Sequence, residues 1–160
     1  MEAAVRGRVL GLDFGLRRVG AAISDPGRTI ASPLEVYERT SETADRRHYR
    51  RLVEEHEVER IVVGLPVHTS GREGDLASRA RAWGGWLATV TGRPVDFHDE
   101  RYTSVEAEDL MIRSGLKRRR RKSIRDMLAA QIMLQDYLDR GCSTGTSAAM
   151  PLADSEGIQP

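Results

Sequence analysis

Val9-Leu10-Gly11-Leu12-Asp13-Phe14-Gly15-Leu16-Arg17-Arg18-Val19-Gly20-Ala21-Ala22-Ile23-Ser24 reads as two β-strands joined by a tight turn. Leu10, Leu12 and Phe14 share one face by the period of two, and Val9, Gly11 and Asp13 take the other. Gly15 and Gly20 bracket the turn and supply backbone freedom that a residue with a Cβ lacks. Asp13 ends the first strand inside an apolar run. A carboxylate there is costly to bury unless a metal ion, a basic side chain or a hydrogen-bond donor pairs with it. Its partners have to come from elsewhere in the chain.

The 160 residues suit one ordinary domain with a real core. Hydrophobic residues at 39% and charged ones at 31% predict a soluble, folded chain. No apolar run approaches the roughly 20 residues that span a bilayer, and no signal-type apolar segment follows Met1 to Arg8. The single cysteine, Cys142, excludes an internal disulfide and a multi-cysteine zinc site. These features predict a cytoplasmic protein with no membrane partner. The net charge of +1 says little, but its distribution is uneven. Glu54, Glu55, Glu57 and Glu59 form an acidic region, whereas Lys117 to Lys122 is an unbroken basic run, a polarity that favours an anionic ligand on one side.

Beyond the hairpin, Asp25-Pro26-Gly27 signals a turn and Ile30 to Tyr37 a third strand, in which Pro33 points to an edge position or a bulge. Ser41 to His56 is helix-prone, with Tyr49, Leu52, Val53 and His56 as its apolar stripe. Ile61-Val62-Val63 reads as a strand buried on both faces. A second helix is expected over Glu73 to Val90 on the stripe Leu76, Ala80, Trp83, Leu87 and Val90, interrupted by Gly84-Gly85. A fifth strand follows over Val95 to Asp99. Thr103-Ser104-Val105-Glu106 has the form of a capping box opening a third helix that ends near Ser114-Gly115. A basic turn then leads to a final helix from about Ser123 to Arg140. The expected architecture is a mixed α/β sheet of five strands, with a three-strand antiparallel meander, two α-β units and helices on both faces. That is the order of the ribonuclease-H-like fold, predicted here as one domain over residues 1–140 with a disordered tail over 141–160.

Metal-dependent phosphodiester cleavage needs several carboxylates converging on hard divalent cations. Asp13 ends the first strand, and Asp99 and Glu100 end the fifth on opposite faces, so only one of that pair should reach Asp13. Alternation alone does not choose between them. Asp126 is expected in the first turn of the last helix. Ala129, Ala130 and Met133 share its face, and the two alanines would let the helix lie close to the sheet. The structural alternative is that Asp126 serves the helix dipole.

Gly11-Leu12-Asp13-Phe14-Gly15 with Arg18-Val19-Gly20, then Ile61 to Pro66, then Asp99 to Ser104, then Asp126 to Ala130 together resemble the YqgF/RuvX family, in the right order and with similar spacing from about Arg8 to Arg140. That family has the ribonuclease-H-like fold and is described both as Holliday-junction resolvases and as the nuclease that trims the 5′ end of pre-16S ribosomal RNA. The resemblance implies an acidic triad of Asp13, Glu100 and Asp126 holding Mg²⁺ or Mn²⁺, and so selects Glu100 over Asp99. Family members often carry a hydroxyl residue where Leu16 stands and Leu where Tyr102 stands; neither departure touches the triad.

Lys117, Arg118, Arg119, Arg120, Arg121 and Lys122 directly precede the helix of Asp126. Phosphate-binding cations are expected there, in a loop mobile until an anion relieves their repulsion; the alternative is a solvated turn. Arg17 and Arg18 at the hairpin tip, and Arg101 after Glu100, are further candidate nucleic-acid contacts. His68 and His98 lack the spacing of a catalytic pair. Trp83 belongs to the core stripe and Trp86 lies partly off it, and aromatics at 5% argue against a single-strand stacking platform. The expected activity is a metal-dependent endonuclease on structured nucleic acid, with pre-16S rRNA processing first and a branched-DNA resolvase second. A resolvase would be a homodimer presenting two sites. A non-catalytic nucleic-acid-binding protein is a further alternative. An actin-like ATPase, which clamps nucleotide between two such domains, is excluded by the chain's length.

Overall fold

The computed structural model describes residues 7–65, 74–99 and 118–142, with the side chains of 118–123 left aside. β1 (Arg8–Asp13), β2 (Arg18–Ser24) and β3 (Ala31–Glu38) form the expected antiparallel meander. α1 (Glu42–Glu55) leads to β4 (Val58–Leu65), and α2 (Asp75–Thr91) leads to β5 (Val95–Asp99). β4 pairs parallel with β1, and β5 parallel with β4, giving the sheet order β3-β2-β1-β4-β5. α3 (Arg118–Asp139) closes the described chain. The expected helix opening at Thr103 and the tail beyond Cys142 lie outside the described residues.

Local chemistry accounts for the element ends. Ser41 caps α1, its hydroxyl accepting from the Ala44 amide at 3.1 Å. Gly92 ends α2 in the left-handed conformation at φ 72°, donating to the Ala88 carbonyl. Pro33 sits on the edge strand, where the register shifts between Ala21 and Ala22 so that Leu34 is the extra residue. A missing amide is harmless there.

Helices cover both faces. Leu10, Leu12 and Phe14 join Tyr49, Leu52, Val53, Trp83 and Leu87 in one core beneath α1 and α2. Val9, Ala22 and Val62 join Ala130, Met133, Leu134 and Tyr137 in a second beneath α3. The α2 stripe differs from expectation. Ala77, Ala80, Gly84, Ala88 and Thr91 are buried with Trp83 and Leu87, while Leu76 is exposed. Gly84 is selected because a Cβ there would lie 2.5 Å from two ring atoms of Phe97, so the helix rests on β5 at that point. Gly85 has nothing within 4 Å, and the structure offers no reason for it.

The last helix also begins earlier than expected. Arg118 to Lys122 form its opening turns instead of a separate basic turn. Arginine and lysine are good helix formers, and no glycine or proline interrupts 116–139. Asp126 therefore stands past the second turn of α3 and not in its first. That removes the helix-dipole explanation for it, because the dipole's influence fades within the first turn.

Candidate functional site

One lateral row of the sheet runs beside the C-terminal end of β1. Gly20 pairs with Asp13, Asp13 with Gly64, and Gly64 with His98. Residues paired across strands share a face, and this row lies on the α3 side, where Gly20 abuts the helix. Asp13 thus has a glycine on each flank, and neither neighbour brings a side chain over its carboxylate.

Gly20 decides how close α3 comes. A Cβ at that position would stand 2.0 Å from the Asp126 carbonyl oxygen and 3.1 Å from the Asp126 Cβ. Gly11, two residues before Asp13 on the same face, admits Leu134 in the same way, with 2.9 Å to its Cβ. Ala129 and Ala130 are buried along with Met133, as their spacing predicts. The glycines of the sheet and the alanines of the helix bring Asp126 over the residue that directly pairs with Asp13. The sequence pattern suggests a turn-forming role for Gly20, and the structure corrects it. Neither Gly15 nor Gly20 has a positive φ, and what each needs is space: a Cβ at Gly15 would lie 2.3 Å from the Arg18 carbonyl oxygen.

Arg18 completes this cluster. Its Nε donates to Asp126 Oδ2 at 3.2 Å, with both side chains partly exposed. Solvent screening limits such a pair to about 1 kcal/mol or less. The adjacent Arg17 is exposed at the tip. Arg39 steadies that tip, its Nη1 donating to the carbonyls of Gly15 at 3.0 Å and Leu16 at 3.3 Å, and its amide to that of Arg17 at 2.8 Å.

On β5, alternation separates the candidates. Asp96 and His98 face α3. Asp96 accepts from Arg60 Nη1 at 3.0 Å and from the Tyr137 hydroxyl, and His98 Nε2 meets Asp136 Oδ2 at 2.7 Å. Burial, together with the Asp96 carboxylate, pushes the Tyr137 hydroxyl well above its ordinary range. Phe97 packs on the opposite face against α2, and Asp99 follows its parity, away from Asp13. His98 stands two strands, about 10 Å, from Asp13 and is held by Asp136. Glu100, Arg101, His68 and Lys117 lie outside the described residues. Arg118, Arg119, Arg120, Arg121 and Lys122 lie in the α3 backbone that leads to Asp126.

Among the described residues, no group of three His, Cys, Asp or Glu side chains gathers as a metal cluster. Asp126 stands over Gly20, the strand partner of Asp13, and both residues carry carboxylates, the hard oxygen donors that suit Mg²⁺ or Mn²⁺. Also among the described residues, no helix is long and apolar enough to cross a membrane.

The model of the RuvX family, described as Holliday junction resolvase, matches residues 7–140. A protein of Koribacter versatilis is 39% identical over 138 residues, covering 86% of this chain and 90% of its own length. One of Dictyoglomus thermophilum is 42% identical over 132 residues, covering 82% and 95%. Both bear the name "Putative pre-16S rRNA nuclease". Among solved structures, Thermus thermophilus RuvC in complex with Holliday junction substrate superposes with a TM-score of 0.53 at 20% identity, over 86% of this chain and 97% of that one. The fowlpox virus resolvase bound to Holliday junction DNA gives 0.51 at 10% identity, over 85% and 99%. These two likenesses show a shared ribonuclease-H-like fold. With the family match over residues 7–140 and relatives at 39% and 42% identity, the chain belongs to the RuvX family.

Proposed function

We propose that the chain is a divalent-metal-dependent endonuclease that processes the 5′ end of pre-16S rRNA, with Asp13, Glu100 and Asp126 as its catalytic and metal-holding acids. One observation supports the reading: α3 lies so close against Gly20, the strand partner of Asp13, that Asp126 stands over that residue. Family membership supports an enzyme acting on nucleic acid, and the names of the two relatives favour the RNA substrate. On β5, Asp99 shares the face of Phe97, away from Asp13, which speaks against Asp99 as the third acid.

The donor set fits Mg²⁺ or Mn²⁺, with Asp13 and Asp126 as two of the protein ligands and Glu100 as the third. When bound, the ion would neutralise charge on the phosphodiester and lower the cost of deprotonating the attacking water. Asp13, paired in the sheet with Gly20 and Gly64, would offer its carboxylate oxygens to the ion. Asp126 is held in place by helix backbone pressed onto β2. Arg17 and Arg18 offer guanidinium groups to the phosphates beside the cleaved bond, and Arg18 can exchange its Asp126 contact for one of them. Arg101 and the segment Lys117 to Lys122 would extend that contact along the backbone of the substrate.

The test is cleavage of a labelled precursor 16S 5′ region and a labelled four-way DNA junction, each with Mg²⁺ or Mn²⁺ and each beside Asp13→Asn. Cutting of the RNA alone, lost in Asp13→Asn with the fold retained, is the expected result. Symmetric nicking of the junction would favour the second reading, a resolvase acting as a homodimer, which rests on the family's description. Full activity in Asp13→Asn would remove the acid assignment.

A further inference from the structure

The structure brings both tryptophans of the chain to one cleft on the opposite side of the sheet from Asp126. The cleft, about 370 Å³, is lined by Leu16, Arg39, Thr40, Glu42 and Asp45 together with Trp83 and Trp86. That volume falls within the range of small-ligand sites, roughly 300–1,000 Å³. Trp83 and Trp86 lie near-parallel, with ring centroids 6.4 Å apart and planes inclined by 24°. Trp83 is buried against Phe14 and Tyr49, whereas Trp86 is only partly buried. Trp86 Nε1 donates to Glu42 Oε2 at 2.9 Å, which fixes the indole in its plane.

The rim of this cleft is the hairpin tip itself. Leu16, 55% exposed, stands between the turn glycine and Arg17, and the Arg39 guanidinium fastens its carbonyl. The wall is therefore continuous with the loop that carries Asp13 at one end and Arg18 at the other. A nucleic-acid backbone held at Arg17 and Arg18 would pass this opening, and its neighbouring base would meet an indole face and a polar rim. A mixed lining of stacked aromatics, a hydroxyl and charged groups suits a flat heteroaromatic ring with polar edges better than an aliphatic one.

We propose that this cleft receives one unpaired nucleobase of the substrate, stacked on Trp86, next to the strand held at the hairpin tip. The proposal rests on the nucleic-acid reading above and adds to it a preference for a single-stranded segment beside the cleaved bond. It differs from a stacking platform in taking one base, so a low aromatic content is no obstacle.

Because Trp83 and Trp86 are the chain's only tryptophans, intrinsic fluorescence reports on the cleft without a label. The experiment titrates the full chain, with EDTA present to prevent cleavage, with a hairpin oligonucleotide bearing a 5′ single-stranded extension and with the same hairpin blunt-ended. RNA and DNA versions are both used, and fluorescein anisotropy measures binding. Wild type is expected to bind the extended hairpin about tenfold more tightly than the blunt one, with quenching of tryptophan emission. Trp86→Leu retains apolar bulk against Trp83 and should lose that preference while binding the blunt hairpin as before. Trp86→Phe retains an aromatic face and should keep most of it. Survival of the preference in Trp86→Leu, its loss in Trp86→Phe, or its absence from wild type overturns the base site. Failure of wild type to bind either hairpin overturns the nucleic-acid reading beneath it instead.

Discussion

Arg18 Nε lies 3.2 Å from Asp126 Oδ2, although 108 positions separate the two residues in sequence. The contact exists because Gly20 admits the backbone of α3 two residues further along the strand that Arg18 opens. On the proposed assignment of Asp126 to a metal ion, the guanidinium occupies an oxygen that the ion would share. Arg18→Gln should therefore bind Mn²⁺ more tightly than wild type, by up to about tenfold for a partly exposed pair. It should also bind nucleic acid more weakly. Titration calorimetry with Mn²⁺ and anisotropy with a labelled hairpin measure the two effects separately. Equal Mn²⁺ affinity in both proteins would show that the ion and Arg18 do not compete.

Gly20→Ala tests the approach of helix to sheet. The added methyl would stand 2.0 Å from a backbone oxygen of Asp126, and backbone cannot swing aside as a side chain can. Overpacking of this kind costs about 1–3 kcal/mol. The urea midpoint should fall accordingly, and on the proposed acid assignment cleavage should fall further than stability explains, because Asp126 is displaced from its place over Gly20. A variant with wild-type stability and activity would mean that α3 stands further from β2 than this geometry requires.

Much of this site was legible from the first strand. The alternation of Val9 to Phe14 puts Val9 and Asp13 on the α3 face, and the spacing of Ala129, Ala130 and Met133 marks the helix face that packs on the sheet. Pro33 marked the edge strand. The depth of Asp126 within α3 was not legible, because a run of arginines reads equally as a charged turn or as an exposed helical turn. The Arg18–Asp126 contact depends on which strand α3 crosses, and no local pattern encodes that crossing. The α2 stripe was misjudged at Leu76 for a similar reason: the helix is set down on β5 through Gly84, which turns small residues inward and leaves Leu76 exposed.

The β2–β3 turn carries a pH dependence of stability. Asp25 Oδ1 accepts from the amides of Ile30 at 2.8 Å and Thr29 at 2.7 Å, and Oδ2 from the Thr29 hydroxyl. These bonds, the Ile30 amide foremost, lower its pKa from the ordinary 3.8 to about 2. A carboxyl depressed on folding contributes stability that is fully present above the unfolded value and is lost as pH falls through the folded one. The melting-temperature gap between wild type and Asp25→Ala should therefore be widest near neutrality and narrow between about pH 4 and pH 2. A gap that does not change with pH would assign the effect to packing alone.

The basic run that opens α3 should act through phosphates. Replacing Arg118, Arg119, Arg120 and Arg121 by Gln preserves helix propensity while removing charge. Affinity for a labelled hairpin should drop, and the slope of log affinity against log salt should become shallower by about 0.7–0.9 for each phosphate that is no longer neutralised. An unchanged slope would mean that these cations face solvent in the complex as well.

Gly84 and Gly85 are neighbours on one helix with opposite expectations. At Gly84 an added methyl would lie 2.5 Å from two ring atoms of Phe97, which is itself 3% exposed, and 3.4 Å from Val95 Cγ1. Overpacking a buried ring in this way means Gly84→Ala should cost about 1–3 kcal/mol. At Gly85 the methyl meets nothing within 4 Å, so only helix propensity changes. Gly85→Ala should gain about 0.5–1 kcal/mol, since alanine loses less backbone entropy on folding. Urea unfolding of the two variants beside wild type reads both signs in one series. A loss at both positions would show that α2 is crowded at Gly85 as well, whereas a gain at both would show that it stands clear of β5.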